Sequence, residues 1–436
     1  MSVLPGPAAA MRQSSLGGEV NFAAFVRSGS VLMPGFRGAG ALSSVLTIGL
    51  MLVACFAPPA SAQMATNAVH AVLMDAQTGQ VLWNKDGDQP FPPASMSKLM
   101  TLDILFSELK DGRVKLSSTF PVSARAWQTG GSKMFVRVGT EVPVRDLIKG
   151  IIIDSGNDAC VVVAQALGGT IHGFVRMMNR RAKELGLKNS RFVNPDGLPD
   201  PPGQMMSAHD LAILARDLIT QYPQYYHFFS ELSFTWSGIT QANRNTALQY
   251  FPGADGLKTG YTHASGYGII TSAVRNGQRF ILVLGGLRYP DLSKYPPRKK
   301  DWLIEQRRGE EAARVLTLAF RNFRAYSLFR AGQQVGSADV WAGDKPTVPL
   351  IVKEPVTAIM QVHSHRHLVT AIDYVGPLKA PVLNGTVVAH LNLTAPDWPG
   401  MSVPLYAGRT DSATGLFGRM AMAMRELLGL SPEPAH

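Results

Sequence analysis

A serine and a lysine three residues apart, Ser95 and Lys98, follow a double proline in the segment FPPASMSKLMT. The prolines hold the chain extended, and the apolar spacing after them predicts a helix over residues 95–110. Residues i and i+3 share a helix face, so the hydroxyl and the amine can touch. A serine needs a base to become a good nucleophile, and a lysine can be that base once burial or nearby positive charge lowers its pKa. Because this spacing is common on protein surfaces, the pair needs support from elsewhere in the chain.

Two further motifs follow in an order that supplies this support. DSGND contains Ser155 and Asn157 on either side of a glycine, and the glycine permits a tight turn from which both side chains point into a cleft. DGLKTGYTHASGYG contains Lys258, Thr259 and Gly260 just before strand-like sequence. Lys258 and Thr259 can hold a carboxylate, and Gly260 lets a ligand backbone lie against the strand. Either motif alone is typical of a solvated loop or hairpin, whereas all three in this order are unlike a coincidence.

The three motifs resemble those of the serine penicillin-binding protein and β-lactamase superfamily, and most closely those of the low-molecular-mass D-alanyl-D-alanine carboxypeptidases. SMSKLMT, SGNDAC, NPDGLPD, NRN at 243–245 and DGLKTGYT carry the resemblance. It extends from residue 68 to about residue 323, and more loosely into the rest of the chain. It implies a serine-type D-Ala-D-Ala carboxypeptidase that removes the terminal D-alanine from peptidoglycan pentapeptide stems through an acyl-enzyme. It also implies β-lactam antibiotics as covalent inhibitors, with no cofactor and no metal.

The resemblance also implies the roles of the reacting groups. Ser95 would attack the carbonyl between the two D-alanines, and Lys98 would take its proton. Ser155 would relay a proton to the leaving amine, while Asn157 would hold Lys98 and the substrate amide.

The substrate-binding set follows from the same resemblance. Lys258 would keep the site electropositive, and Thr259 and Arg244 would bind the terminal carboxylate beside Gly260. The backbone N–H groups of Ser95 and Tyr261 would form the oxyanion hole, in which each donor is worth roughly 3–4 kcal/mol. Tyr261 departs from those relatives that carry a histidine at this position.

Three alternative functions use parts of the same pattern. A D,D-endopeptidase that cuts peptidoglycan cross-links would use the same residues, and only the β-rich C-terminal region and the tail favour the carboxypeptidase. A class A β-lactamase needs a glutamate that activates the deacylating water, but no Glu-x-x-Leu-Asn occurs between residues 160 and 245. A non-catalytic wall-binding scaffold is disfavoured because all three motifs are intact.

The pattern along the chain predicts an α+β fold in which an antiparallel sheet packs against helices, as in β-lactamases and transpeptidases. We predict a D,D-peptidase domain over residues 64–325 and a small all-β domain over residues 326–408. The predicted elements of the first domain are a hairpin at 72–83, helices at 95–110, 144–152, 159–167, 171–185, 208–221 and 301–325, and strands at 266–274 and 279–287. The Asn276-Gly277 pair between those two strands predicts a hairpin turn.

Both ends of the chain predict export and attachment to a membrane surface. Residues 1–62 read as a signal peptide cut after Ala62, with Met33 as a more usual start. The sequence LVAC at Cys55 leaves a lipoprotein cleavage site open as an alternative. The sequence predicts an amphipathic helix over residues 411–430, too short to span a bilayer but suited to lying on one. We therefore expect a protein on the periplasmic face of the cytoplasmic membrane, peripherally anchored.

The remaining charged groups predict few other partners. The formal net charge of +11 suits an anionic surface, but the basic residues are scattered and no nucleic-acid motif is present, so we expect no nucleic-acid partner. Three histidines, His363, His365 and His367, would point the same way on a strand. We interpret them as an exposed polar face and expect no metal there.

Overall fold

The computed structural model describes residues 64–415, together with Met420 and Met424. The predicted signal peptide at 1–62 lies outside the described residues, as does most of the predicted helix at 411–430. Met420 and Met424 are helical, and their side chains are 63% and 67% exposed. Asp411 and Ala413 instead form isolated bridges with Val382 and Gly343, so the first residues of the predicted helix belong to the β-rich part.

A five-stranded antiparallel sheet forms the centre of the part before residue 323, in the order β2-β1-β9-β8-β7. The predicted hairpin at 72–83 and the hairpin about Asn276-Gly277 are both confirmed. The order places β7, which carries the Lys-Thr-Gly motif, at one edge of the sheet. The strands are β1 His70–Asp75, β2 Val81–Lys85, β7 Ala254–Thr262, β8 Gly266–Arg275 and β9 Gln278–Leu287.

Helices cover both faces of this sheet, because alternate residues of its central strands are buried in two different clusters. On β9, Ile281 and Val283 join the large core with most of the helices, whereas Phe280, Leu282 and Leu284 pack on the other face against the long helix α9. The predicted α+β class is confirmed. The helices are α1 Lys98–Lys110, α2 Ala124–Gln128, α3 Val144–Ile152, α4 Asn157–Gly168, α5 Ile171–Glu184, α6 Ala208–Gln221, α7 Pro223–Tyr226, α8 Ala247–Tyr250 and α9 Pro297–Asn322.

Two helix boundaries differ from the prediction in ways that matter. The helix predicted to start at residue 95 is preceded by a 3-10 turn over Ala94–Ser97, and α1 begins at Lys98. The helix predicted at 301–325 begins earlier, at Pro297, and ends at Asn322. Phe323 is extended and pairs with Gln361, so the residues after α9 enter a strand instead.

Two small hairpins lie between the helices. β3 pairs with β4, and β5 pairs with β6. The segment between β3 and β4 contains Ser132, and the segment that follows β6 contains Arg244; both residues are described below. Their bounds are β3 Thr119–Pro121, β4 Glu141–Pro143, β5 Ser233–Trp236 and β6 Ile239–Ala242.

The C-terminal part packs around a hydrophobic cluster of its own. β10 pairs with β13, and six further strands form a sheet in the order β14-β16-β17-β12-β11-β15. The cluster includes Leu350, Met360, Leu391 and Leu405. The strands are β10 Phe323–Phe329, β11 Gln334–Trp341, β12 Thr347–Ile351, β13 Val356–Gln361, β14 Val369–Asp373, β15 Leu378–Lys379, β16 Val387–Ala395 and β17 Trp398–Ala407.

The three histidines of this part do not lie on a strand, so that prediction was wrong. Val362–His365 forms a short helix, α10, which turns the side chains apart. His363 Nε2 lies 3.2 Å from Asp397 Oδ2, and the His365 ring stacks on Tyr326. Among the described residues, no group of three or more metal-ligating side chains comes together.

In the described part of the chain, no single helix is both long and apolar enough to cross a bilayer. Only α4 and α5 taken together meet that criterion, and they are bent by 85° relative to each other.

Candidate active site

The 3-10 turn brings the predicted nucleophile and base into contact. With three residues per turn, side chains at i and i+3 eclipse each other more closely than on an α-helix. Lys98 Nζ lies 2.7 Å from Ser95 Oγ, a hydrogen-bonding distance. Lys98 is completely buried, whereas Ser95 is partly exposed. The hydroxyl is therefore open to a substrate, and the amine behind it is shielded from water.

The surroundings of Lys98 favour a neutral amine. Its Nζ donates to the backbone carbonyl of Asp196 at 2.5 Å, so its second partner carries no formal charge. Burial lowers the pKa of Lys98 below its ordinary value, and the charge on Arg244 lowers it further, against opposing effects of Cys160 and Asp196. Burial also raises the pKa of Cys160 to about 12, so that thiol stays protonated and inert beside the site. An amine in this state can accept a proton from Ser95.

The second motif places a hydroxyl beside the second lysine. Ser155 has a φ of 58°, in the left-handed region, and its side chain is buried. Lys258 Nζ donates to Ser155 Oγ at 3.0 Å and to the Thr259 carbonyl at 3.2 Å. Burial lowers the pKa of Lys258 well below its ordinary value, and the charges of Lys98 and Arg244 act in the same direction. Ser155 Oγ therefore accepts a hydrogen bond from a buried amine whose surroundings favour its neutral form.

Asn157 is the first residue of α4, and it fixes the opposite wall of the cleft. Its Nδ2 donates to the Gly130 carbonyl and its backbone N–H donates to the Ser132 carbonyl, both at 2.8 Å. In the described part of the chain no hydrogen bond joins Asn157 to Lys98, contrary to the contact expected from the resemblance. Arg244 Nη1 donates to Ser132 Oγ at 2.6 Å. This hydrogen bond joins the segment that carries Arg244 to the segment that accepts from Asn157.

The edge strand β7 forms the remaining wall. Thr259 is almost fully buried, while Tyr261 is 42% exposed and stacks on Tyr267 with 4.1 Å between ring centroids. Position 260 needs a glycine because a side chain there would clash with neighbouring protein atoms. A Cβ would lie 2.8 Å from the Pro93 carbonyl oxygen and 3.2 Å from Ala94 Cβ. The glycine lets the strand approach the 3-10 turn that carries Ser95, and the approach of a ligand backbone to Gly260 stays a prediction.

Three basic side chains gather here without an ion pair; Arg244 keeps its charge, whereas burial favours the neutral form of the two lysines. Lys98, Lys258 and Arg244 are buried or partly buried, and across the described residues no carboxylate lies within ion-pair distance of them. Unpaired buried charge is unfavourable, so an anionic group entering the cleft is attracted strongly.

Three supporting residues were not predicted from the sequence. The Asp196 carbonyl holds Lys98, and Ser132 links Arg244 to Asn157. The Asp158 carboxylate accepts backbone N–H groups of residues 134, 135 and 136, at 3.0, 2.9 and 3.2 Å, and so fixes the segment that follows Ser132. The sequence NPDG predicts a turn at Asp196. It does not predict the contact with Lys98, because the backbone carbonyl that makes this contact is present in every residue type.

Comparisons with known proteins agree over both parts of the chain. The D-alanyl-D-alanine carboxypeptidase family matches residues 57–287, and the family described as penicillin-binding protein 5, C-terminal domain, matches residues 323–412. D-alanyl-D-alanine carboxypeptidase DacD of Escherichia coli (strain K12) is 35% identical over 364 residues, which cover 81% of this chain and 90% of the relative.

Solved structures show the same similarity in three dimensions. D-alanyl-D-alanine carboxypeptidase DacD from Francisella tularensis has a TM-score of 0.69 and 29% identity, over 80% of this chain and 95% of that one. Penicillin binding protein 5 from Haemophilus influenzae has a TM-score of 0.66 and 30% identity, over 80% and 98%.

Proposed function

The chain belongs to the D-alanyl-D-alanine carboxypeptidase family of serine peptidases, and from that premise we propose that Ser95 and Lys98 carry out its reaction. It is a serine-type D-Ala-D-Ala carboxypeptidase that acts on peptidoglycan stem peptides. The observation that carries the assignment of roles is the 2.7 Å separation of Lys98 Nζ from Ser95 Oγ, with the amine buried and without an ion pair.

The acylation step follows from this geometry. Neutral Lys98 accepts the Ser95 proton as Ser95 Oγ attacks the carbonyl carbon of the D-Ala-D-Ala bond. The carbonyl oxygen becomes an oxyanion, which we assign to the backbone N–H groups of Ser95 and Tyr261. The proton held by Lys98 passes by way of Ser155 to the departing amine, the C–N bond breaks, and free D-alanine leaves an ester on Ser95. In the second step neutral Lys98 takes a proton from the attacking water, the ester C–O bond breaks, and Lys98 returns that proton to Ser95 Oγ.

The terminal carboxylate of the substrate belongs at the positive end of the cleft. Arg244 and Thr259 would hold it, while Lys258 supports the positive potential and the Ser155 hydroxyl. The guanidinium of Arg244, which forms no ion pair among the described residues, favours a substrate with a free C-terminal carboxylate. This preference favours removal of a terminal residue over cleavage of a cross-link.

We expect β-lactams to acylate Ser95 by the same route, as the name penicillin binding protein 5 indicates for the structural relative. The loop after residue 194 uses the Asp196 backbone to hold Lys98, and no Glu-x-x-Leu-Asn is present between residues 160 and 245. Without a glutamate positioned to activate water, hydrolysis of the ester should be slow and the drug should inhibit.

Labelled penicillin tests the assignment directly. The wild-type protein should form a covalent adduct that survives denaturing gel electrophoresis, and Ser95→Ala should form none. An adduct formed at any other site would not respond to this change, so an adduct retained by Ser95→Ala would refute the nucleophile assigned here. Product analysis with a pentapeptide muropeptide should yield D-alanine as the sole small product, whereas cleaved dimers would favour the endopeptidase.

The cellular location is a separate part of the proposal. The apolar run and Ala60-Ser61-Ala62 support export, and the exposed helical pair Met420 and Met424 supports a tail that rests on a membrane. Removal of residues 416–430 should move the protein from the membrane fraction to the soluble fraction without changing its penicillin adduct. Retention in the membrane fraction would refute peripheral anchoring by this tail.

A further inference from the structure

Two adjacent arginines of helix α9 lie in opposite environments. Arg307 is exposed and forms an ion pair with Asp291 at 2.6 Å. Arg308 is only 4% exposed, its Nε has no hydrogen-bond partner, and no carboxylate among the described residues lies within ion-pair distance of it. A buried guanidinium in this state is energetically costly, so its surroundings indicate what it does.

Arg308 contacts the segment that carries Arg244. Its Nη2 donates to the backbone carbonyl of Arg244 at 3.2 Å, the only hydrogen bond of the Arg308 side chain seen in the described residues. Nearby, Thr246 Oγ1 donates to the Glu305 carbonyl at 2.5 Å. A Cβ at Gly309 would lie 2.2 Å from Thr246 Oγ1, so helix and segment are in close backbone contact. One turn of α9 therefore fixes the position of Arg244.

The charge of Arg308 adds to the same end of the cleft. Burial lowers the pKa of Arg308 to about 10, which leaves it cationic at neutral pH. Glu305 and Tyr289 oppose this lowering, Arg244 reinforces it, and Tyr267 opposes it weakly. The cation also acts on Lys258, whose pKa it helps to lower. A neutral amide could donate the same hydrogen bond to Arg244 without burying a charge, so the hydrogen bond alone does not account for an arginine here.

We propose that Arg308 is a positioning residue for recognition of the substrate's terminal carboxylate, acting through Arg244. Its N–H holds the Arg244 backbone in place, and its unpaired charge strengthens the positive potential where the carboxylate binds. The inference rests on the proposed role of Arg244 and goes beyond it by assigning a second guanidinium that does not touch substrate.

The test compares two substrates rather than one activity. A short peptide ending in D-Ala-D-Ala and the same peptide with a C-terminal amide are assayed with wild type, Arg308→Gln, Arg308→Lys and the neighbouring control Arg307→Gln. Arg308→Gln should lower kcat/KM for the free acid about 10–100-fold, mainly through KM, because hydrogen bonds to charged groups are worth this much. The amide should be cleaved as by wild type. Arg308→Lys should recover part of the loss, and Arg307→Gln should behave as wild type.

Each other outcome has a definite reading. An equal loss of kcat/KM for the acid and the amide would mean that Arg308 only supports the fold, and this result overturns the inference. An unchanged kcat/KM for both substrates also overturns it. Thermal unfolding of each variant identifies general destabilisation, and Arg308→Lys provides the comparison if Arg308→Gln does not fold. If wild type itself does not prefer the acid, the proposed role of Arg244 fails as well. If wild type prefers the acid and Arg308→Gln keeps that preference, the inference about Arg308 alone fails.

Discussion

Gly197 lies where the turn after residue 194 meets the catalytic turn, and its replacement by alanine should disturb both stability and acylation. Its φ is +81°, and a Cβ added there would lie 2.0 Å from the Ala94 carbonyl oxygen and 2.8 Å from Ser97 Oγ. The preceding residue, Asp196, provides the carbonyl that holds Lys98. A side chain at 197 therefore pushes the Lys98 support away from the turn that carries Ser95.

The expected magnitude has two contributions. An L-residue in the left-handed region costs roughly 1–2 kcal/mol, and overpacking a tight contact costs typically about 1–3 kcal/mol more. The clash is with backbone, so it cannot be relieved by a rotamer change, and the two turns must separate by more than about 1 Å. We expect Gly197→Ala to lower the free energy of unfolding by about 2–5 kcal/mol. A displacement of this size at a catalytic group can reduce the rate about 10²-fold.

A matched control separates the two contributions. Gly112 has a φ of +72°, but a Cβ there would meet no atom within 4 Å. Gly112→Ala should therefore show only the conformational cost and keep the rate of acylation by fluorescent penicillin. The assays are thermal unfolding, at roughly 2–4 °C per kcal/mol for a domain of this size, and the second-order acylation rate. If Gly197→Ala resembles Gly112→Ala in both assays, the turn does not position Lys98 and the argument fails.

Three further predictions concern individual charged groups. Because burial lowers the pKa of Lys98 and only the neutral amine accepts the serine proton, acylation should rise with pH and level off below the ordinary lysine value of 10.5. Lys98→Ala should lose about 10²–10⁴ in rate on that plateau, and a pH-independent rate of the wild type would contradict this role. Arg181→Met leaves the fully buried Asp103 without its cation, so the free energy of unfolding measured by urea titration should fall by about 3–5 kcal/mol. The control Arg113→Met removes an exposed ion pair and should leave this free energy unchanged. Asp158→Ala frees three backbone N–H groups, so hydrogen exchange at residues 134–136 should accelerate while that of the central sheet stays slow; unchanged exchange would show that the carboxylate does not hold this segment.

Much of the fold could be predicted because the elements near the site have strong local signals. Helices α3 and α6 begin and end where the apolar pattern predicts, and the Asn276-Gly277 turn forms the expected hairpin. The family and the enzyme class were predicted from the motifs and their order, and the α+β fold from the pattern of strands and helices along the chain; all three are confirmed. The roles of the individual site residues and the domain boundaries remain predictions.

The errors have a common cause, which is competition from distant partners. Residues 323–325 continue the helical pattern of α9, yet they become a strand because β13 offers them ladder hydrogen bonds. His363 and His365 alternate as on a strand, but they lie on a one-turn helix with Asp397 and Tyr326 as partners. Local periodicity contains no information about partners more than 30 residues away, so it cannot anticipate such exchanges.

Residue types and their order determined the available chemistry: a serine with a lysine one turn on, a hydroxyl and an amide around a glycine, and a lysine before a strand. These features are local, because they depend on spacing along the chain and on which atoms each side chain carries. Only the tertiary structure decided that both lysines are buried without ion pairs, that Asp196 meets Lys98 through its backbone, and that Arg308 lies behind Arg244. A lysine's protonation depends on solvent access and on charges brought from remote segments, and these exist only once the chain has folded.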